Sequence, residues 1–381
     1  MSGFSIITPG RILFGRGMGA QAAGLTLGFG ARVLLVTGGN MDRARWLIDD
    51  LTMQGAEVQV WPCKAEPDLP GLEAAIWQTR GFDPQVVVGF GGGAALDLAK
   101  ALAGLIPAPG GPMDHLEVVG RGLPLTVAPL PFIAIPTTAG TGAEVTKNAV
   151  IGLPDHGRKV SLRDDAMMAR VAIVDPNLTD GCPRSVTLAS GLDAVTQVIE
   201  PYVSCRATLY TDAIARPAIP MGLAALQALM RAEDAGARDD LAWVSLSGGL
   251  ALANGGLGAV HGLAGVIGGL TGAAHGAICG VLLAPVLAMN AARAPGGSVA
   301  AARLAEVLGM IGAAFEVPAD QAADRLGAWA QAAGLPRLTA LGVTADQRVA
   351  VAEASAVSSS MKGNPVGLSV EDLVAVMAAA G

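Results

Sequence analysis

Residues 241–292 contain no Asp, Glu, Lys or Arg, yet they hold two of the chain's four histidines. His261 and His275 stand in glycine-rich surroundings, GAVHGLAG and TGAAHGAICG. A stretch of this kind has to leave water, either inside a packed helical domain or inside a bilayer. It is long enough for the second, since a helix needs roughly 20 apolar residues to span a membrane. Its glycine pairs (Gly248-Gly249, Gly255-Gly256 and Gly268-Gly269) argue for the first, because each Gly costs about 1 kcal/mol of helix propensity relative to Ala. No Lys/Arg cluster flanks the run, and no aromatic belt beyond Trp243 brackets it. We therefore read it as the interior of a helical domain, with no membrane span. An imidazole placed there must be hydrogen-bonded, held neutral, or bound to a metal.

The chain's 381 residues exceed what one core usually supports, so two domains are expected. A net charge of −7 and a pI near 5.1 argue against a nucleic-acid or anionic-membrane partner. Cys63, Cys182, Cys205 and Cys279 form no CxxC pair, so neither a disulfide framework nor a Cys-zinc site is signalled. The opening MSGFSIITPGRILFGRGMGA alternates like a strand pair and lacks the apolar core of a signal peptide. A cytoplasmic protein is expected.

Along the chain the first half alternates strand and helix. FSIITPGRILFG reads as an opening hairpin, and residues 33–37 (VLLVT) as a buried parallel strand ending at Gly38-Gly39. MDRARWLIDDLTMQG is helical, VQVWP a strand, residues 71–79 helical, 85–90 a central strand, 94–105 a helix, and 132–136 (FIAIP) a strand. Right-handed βαβ connections follow, which gives an α/β nucleotide-binding domain with a parallel sheet. Past VAIVD near Pro176, only helical patterns and turns remain. The expectation is an α/β domain over residues 1–182 and an all-helical domain over residues 183–381.

Three segments carry chemistry. GFGGGAALDLAK follows a strand and opens a helix. Gly91, Gly92 and Gly93 let backbone N–H groups approach a phosphate at the helix N-terminus. A tight turn that uses glycine for geometry alone has the same look. PTTAGTGAEVTKNAVI places the hydroxyls of Thr137, Thr138 and Thr141 beside glycines after the FIAIP strand, where a ribose or phosphate fits, with Lys159 downstream. In GLDAVTQVIEPYVS, Asp193 and Gln197 are four apart and share a helix face. His261 and His275 would lie roughly 20 Å apart on one unbroken helix. A break at Gly268-Gly269 or Thr271-Gly272 would fold the second back. One Asp and two His make a three-ligand divalent site with a place left for water or substrate oxygen.

These segments, in this order, resemble the iron-containing (group III) alcohol dehydrogenase family of the dehydroquinate synthase-like superfamily. GGGAALDLAK resembles that family's GGGSxxDxAK turn, with Gly91, Gly92, Gly93, Asp97 and Lys100 matching and Ala94 in place of Ser. PTTAGTGAEVTKNAVI resembles its PTTAGTGSEVT loop, and GNPVGLSVEDLVAVM its NPxxLsxeD ending. The resemblance implies an active site in the cleft between an α/β domain and a helical domain. It also implies catalytic and metal-binding roles for Asp193, His261 and His275, and a nicotinamide cofactor along Gly38, Gly39, Asn40, Gly91–Gly93, Asp97, Thr137, Thr138, Thr141 and Lys159. Two departures stand out. The position four after the aspartate, a His in the family, is Gln197, whose amide oxygen remains a candidate ligand. A further family His near the substrate is replaced by Gly265. The ion expected is Fe2+ or Zn2+.

Family members that prefer NAD often carry an Asp after the strand where this chain has Gly38-Gly39-Asn40, with Arg43 and Arg45 following. A glycine turn beside guanidinium groups admits a 2′-phosphate, so NADP(H) is favoured over NAD(H). The expected activity is hydride transfer between a nicotinamide and a small alcohol or aldehyde, in a homodimer or larger homo-oligomer. The alternatives are a maleylacetate reductase-like or glycerol dehydrogenase-like member of the superfamily, and a non-catalytic nucleotide-binding relative.

Overall fold

The structure, a computed structural model, describes residues 3–381. The chain divides into two units. One is Ile7–Thr138 with Ala143–Thr179. The other is Ala139–Gly142 with Asp180–Gly381 and the described residues up to Ile6.

The first unit contains β1 (Arg11–Phe14), α1 (Ala22–Leu27), β2 (Arg32–Gly38), α2 (Arg45–Met53), β3 (Glu57–Cys63), α3 (Leu69–Arg80), β4 (Val86–Gly91), α4 (Gly93–Leu105), α5 (Pro112–His115), β5 (Phe132–Pro136), β6 (Asn148–Leu153), β7 (Arg158–Arg163) and β8 (Val171–Val174). Six strands form one sheet in the order β1-β8-β5-β4-β2-β3, all pairs parallel. Both faces are buried, which is why these strands read as unbroken apolar runs. Along β2, Leu34 and Val36 join one core with Leu72, Leu96 and Leu102, while Val33 and Leu35 join the other with Leu47 and Leu51. Each such fully buried side chain contributes about 1.5–3 kcal/mol.

The opening hairpin expected from FSIITPGRILFG does not form. Only Arg11–Phe14 is a strand, and it pairs in parallel with Val171–Val174, remote in the chain. Alternation reports a half-buried strand but not its partner. The antiparallel β6–β7 ribbon has no counterpart among the strands expected from the sequence.

The strand order sets the ligand position. β2 leads outward to β3 on one side, while β4 lies on its other side and continues to β5. The crevice at the C-terminal ends of β2 and β4 is therefore the topological switch point, where open α/β sheets bind ligands.

The second unit is helical: α6 (Arg184–Val203), α7 (Leu209–Leu229), α8 (Ala235–Gly255), α9 (Ala259–Thr271), α10 (His275–Arg293), α11 (Val299–Phe315), α12 (Ala322–Ala332), α13 (Arg348–Ala356) and α14 (Val370–Ala379). Helix α6 lies at its centre, packed against α7, α8 and α10. Every residue from 191 to 203 is buried, the mark of a helix enclosed on all sides. The uncharged run folds into the end of α8, all of α9 and most of α10, with a bend of 99° between α8 and α9. Helix α10 is long and apolar enough to cross a bilayer, and 61% of its apolar window is buried inside this unit.

Candidate metal centre and dinucleotide crevice

Three buried polar residues of α6 lie on one stripe: Asp193, Gln197 and Glu200, at i, i+4 and i+7. Small residues let the neighbouring helices approach that stripe. A Cβ on Gly248 of α8 would sit 2.9 Å from Gln197 Cβ. One on Gly276 of α10 would sit 2.5 Å from the Ala189 carbonyl, and one on Gly280 2.8 Å from Leu192 Cδ1. These three glycines of the uncharged run are therefore close-packing positions. Helix α9 passes through Gly268-Gly269 unbroken and ends at Gly272, whose φ of 67° lies in the left-handed region that favours glycine. The turn there brings His275, first residue of α10, back beside His261.

As a result the Asp193 carboxylate, the two imidazoles and the Cys279 thiol each offer one ligand atom, all within 4.8 Å of one another. Asp193 Oδ1 is 3.3 Å from His261 Nε2 and 3.9 Å from His275 Nε2. The two rings have centroids 5.4 Å apart. Asp193 and His261 are buried, whereas the His275 side chain is 32% exposed, so the cluster opens on its side.

His261 is held from behind. Its Nδ1 lies 2.7 Å from Glu200 Oε2, and Glu200 Oε1 accepts from the Val260 N–H at 2.7 Å. Asn364 Oδ1 accepts from the Ala259 N–H at 3.0 Å and completes the capping of α9. When neutral, a ring that gives its Nδ1 proton to Glu200 would present its Nε2 lone pair to an ion beside Asp193, the carboxylate–imidazole arrangement seen behind metal ligands. Three buried atoms, Asp193 Oδ1, Gln197 Oε1 and His261 Nε2, have no hydrogen-bond partner. A buried polar atom left so costs about 1–3 kcal/mol, and an ion between them would satisfy Asp193 Oδ1 and His261 Nε2.

The electrostatics agree. Burial works against the Asp193 carboxylate, but the neighbouring His275 and His261 and a hydrogen bond from Gln197 hold its pKa at about 2. Burial likewise opposes charge on the imidazoles. Cys279 and Asp193 overcome it, raising His275 to about 9 and, with Glu200, His261 well above the usual range. This pocket draws positive charge. Hard carboxylate oxygen, imidazole nitrogen and thiol sulfur together suit a borderline divalent ion such as zinc or iron.

In the α/β unit the residues expected at the cofactor separate into two groups. A Cβ on Gly91 would lie 3.0 Å from Gly38 N and 2.7 Å from Ala95 Cβ, so glycine lets β2, β4 and α4 converge at the switch point. Gly92 is the N-cap of α4 and makes no side-chain capping bond, and Gly93 opens the helix, so the first N–H groups of α4 have no side-chain cap. The Thr137 N–H donates to Gly91 O at 2.9 Å, and Thr138 Oγ1 stands over Gly92. Gly39 and Asn40 follow the end of β2, with Asn40 Oδ1 accepting from the Asp42 N–H. Thr141 belongs to the helical unit.

Asp97 and Lys159 have protein partners within this unit. Asp97 Oδ2 accepts from the Val150 N–H at 3.1 Å, and Lys159 is ion-paired with Glu66. Lys100 is fully buried and donates to Ala143 O (2.8 Å), Thr146 Oγ1 (2.9 Å) and Asn148 O (2.8 Å). The Asp-x-x-Lys of this motif thus ties α4 to β6 and the turn before it. Arg43 donates to the Leu178 carbonyl.

Residues 9–176 match the profile of the iron-containing alcohol dehydrogenases, and residues 187–381 match the C-terminal profile of the Fe-containing alcohol dehydrogenase family. The chain belongs to the iron-containing alcohol dehydrogenase family. Among its relatives is a probable alcohol dehydrogenase, EutG, of Escherichia coli. It is 34% identical over 340 residues, covering 88% of this chain and 82% of that protein. Alcohol dehydrogenase 4 of Saccharomyces cerevisiae is 32% identical over 330 residues, 86% and 84% of the two chains. A solved 1,3-propanediol oxidoreductase superposes with a TM-score of 0.87 at 26% identity over the whole of both chains. As a member of the iron-containing alcohol dehydrogenases, this chain is an oxidoreductase acting on alcohols, and membership implies a divalent metal and a nicotinamide cofactor.

Sequence reasoning missed two residues beside the site. Glu200 is seven after Asp193, and Cys279 is four after His275. Both spacings put them on the ligand-bearing face of their helices. Counting cysteines for CxxC pairs alone hid the second.

Proposed function

We propose that this family member interconverts a small alcohol and its aldehyde, with a divalent ion held by Asp193, His261 and His275. The observation that carries this is the convergence of ligand atoms from Asp193, His261, His275 and Cys279 within 4.8 Å of one another, with Asp193 Oδ1 and His261 Nε2 buried and without hydrogen-bond partners. An ion there supplies Lewis acidity toward the substrate oxygen while hydride passes to or from the nicotinamide. Asp193 contributes the compensating negative charge. Glu200 fixes the His261 tautomer so that Nε2 faces the cluster. The half-exposed side at His275 admits the substrate.

In the α/β unit, the free start of α4 with Gly91, Gly92 and Gly93 suits the pyrophosphate. The Thr137 and Thr138 hydroxyls, and Thr141 from its own unit, suit the ribose and phosphate oxygens. Asp97 and Lys159 we assign to shaping this region through Val150 and Glu66. The turn Gly38-Gly39-Asn40 has no carboxylate to refuse a 2′-phosphate, and Arg45 nearby is exposed, which supports NADP(H). The proposal extends to a cytoplasmic homodimer or larger homo-oligomer, which sedimentation of the purified chain tests.

The function is tested with a panel of short alcohols and aldehydes, run with NADPH and NADH under zinc, iron(II) and chelator. Metal-dependent turnover with a lower KM for NADPH is expected. Turnover indifferent to chelation would instead favour the metal-free maleylacetate reductase-like chemistry.

A further inference from the structure

Cys279 lies one turn after His275 on α10 and is completely buried, and its Sγ is 3.6 Å from His275 Nε2. Zinc–sulfur and zinc–nitrogen bonds of about 2.3 and 2.0–2.1 Å give tetrahedral edges of about 3.5 Å between sulfur and nitrogen, and about 3.3 Å between nitrogen and oxygen. The observed Cys279–His275 and Asp193–His261 separations, 3.6 and 3.3 Å, match those edges. The 3.9 Å between Asp193 and His275 is longer than the nitrogen–oxygen edge, so the His275 ring would have to shift by about 0.6 Å on binding. Gly276 and Gly280, pressed against α6, fix the backbone on both sides of Cys279. The other available donor, Gln197, offers a neutral amide oxygen, a weaker partner for zinc than a thiolate.

We propose that Cys279 is the fourth protein ligand, so that the ion would be held at rest by one oxygen, two nitrogens and one sulfur, a set that favours zinc over iron(II), and would take the substrate oxygen as a fifth ligand. The thiol proton leaves to solvent on binding. The inference rests on the metal-site reading above and adds a ligand to it.

Cobalt(II) is the probe. The chain freed of metal and reloaded with one Co2+ should show an intense near-ultraviolet band from thiolate-to-cobalt charge transfer. Cys279→Ser should lose that band and bind zinc about 100-fold more weakly, the upper end of what an outer-shell partner alone costs. Cys205→Ser, which removes the exposed thiol, should keep the band. Stoichiometric cobalt without the band overturns the role of Cys279 and leaves Asp193, His261 and His275 as ligands. Failure to bind cobalt overturns both readings. The wild-type spectrum needs no variant, so a Cys279→Ser chain that does not fold leaves the test intact.

Discussion

Replacing Glu200 by Gln changes one atom pair in a buried network and tests how the cluster is organised. In the native chain one carboxylate accepts two hydrogen bonds of 2.7 Å, from the His261 ring and from the Val260 N–H. Gln keeps the shape and can still accept from Val260. Its other arm is then an NH2 facing Nδ1, so two donors oppose each other unless the imidazole changes tautomer. The relaxed ring carries its proton on Nε2, the atom that faces Asp193, where it blocks metal donation. Loss of an outer-shell partner weakens metal binding 10- to 100-fold, or about 1.4–2.7 kcal/mol. Two charge-assisted bonds become neutral as well, costing about 1–2 kcal/mol of stability in the metal-free chain. Zinc competition against a chromogenic chelator reads the first effect, and denaturant unfolding in chelator reads the second. Zinc affinity within twofold of wild type, in a chain that unfolds normally, would refute the reasoning. Glu200 would then merely cap α9.

Further predictions concern backbone approach, proton transfer and buried charge. Gly276→Ala places a methyl 2.5 Å from the Ala189 carbonyl, so it should cost about 1–3 kcal/mol in denaturant unfolding and weaken zinc binding by moving His275. Unchanged values for both would contradict the close-packing role. A Cβ on Gly265 meets nothing within 4 Å, so Gly265→His should fold normally and add an ionisation near neutral pH to the rate profile; an identical profile rejects a role in proton transfer for this position. Burial raises the Glu144 pKa to about 7, against the pull of its own backbone N–H and Lys100. The native state therefore keeps a proton that the unfolded chain has released, and Glu144's contribution, full below about pH 4.5, is lost as pH rises through 7. Relative to wild type, Glu144→Gln should gain up to about 3 kcal/mol between pH 4.5 and 7, and a pH-independent difference would contradict that burial.

Much of the fold was legible because burial leaves a periodic trace. The sheet strands β2, β4 and β5 are covered on both faces and appear as VLLV, VVVGF and FIAIP. The enclosed helix α6 appears as an apolar stretch interrupted by Asp193, Gln197 and Glu200. What alternation cannot carry is partnership: β1 pairs with β8 across most of the α/β unit, so the hairpin suggested by local pattern was the wrong neighbour. At the candidate site, Asp193, His261 and His275 drew attention as polar groups in apolar surroundings. Their approach depends on the left-handed turn at Gly272 and on helix contacts through Gly248, Gly276 and Gly280, which look like ordinary glycines in one dimension. Asp97 and Lys159, expected at the cofactor from motif membership, have protein partners that no spacing rule foretells, the Val150 N–H and Glu66.

The central claim is that a carboxylate on α6 and imidazoles at the starts of α9 and α10 share one cation. An anomalous-difference map from crystals grown with zinc, recorded on both sides of the zinc edge, tests it directly. The account predicts one peak per chain within bonding distance of Asp193 Oδ1, His261 Nε2 and His275 Nε2. A fully ordered cluster with no peak among those atoms, or zinc bound only elsewhere, would contradict it.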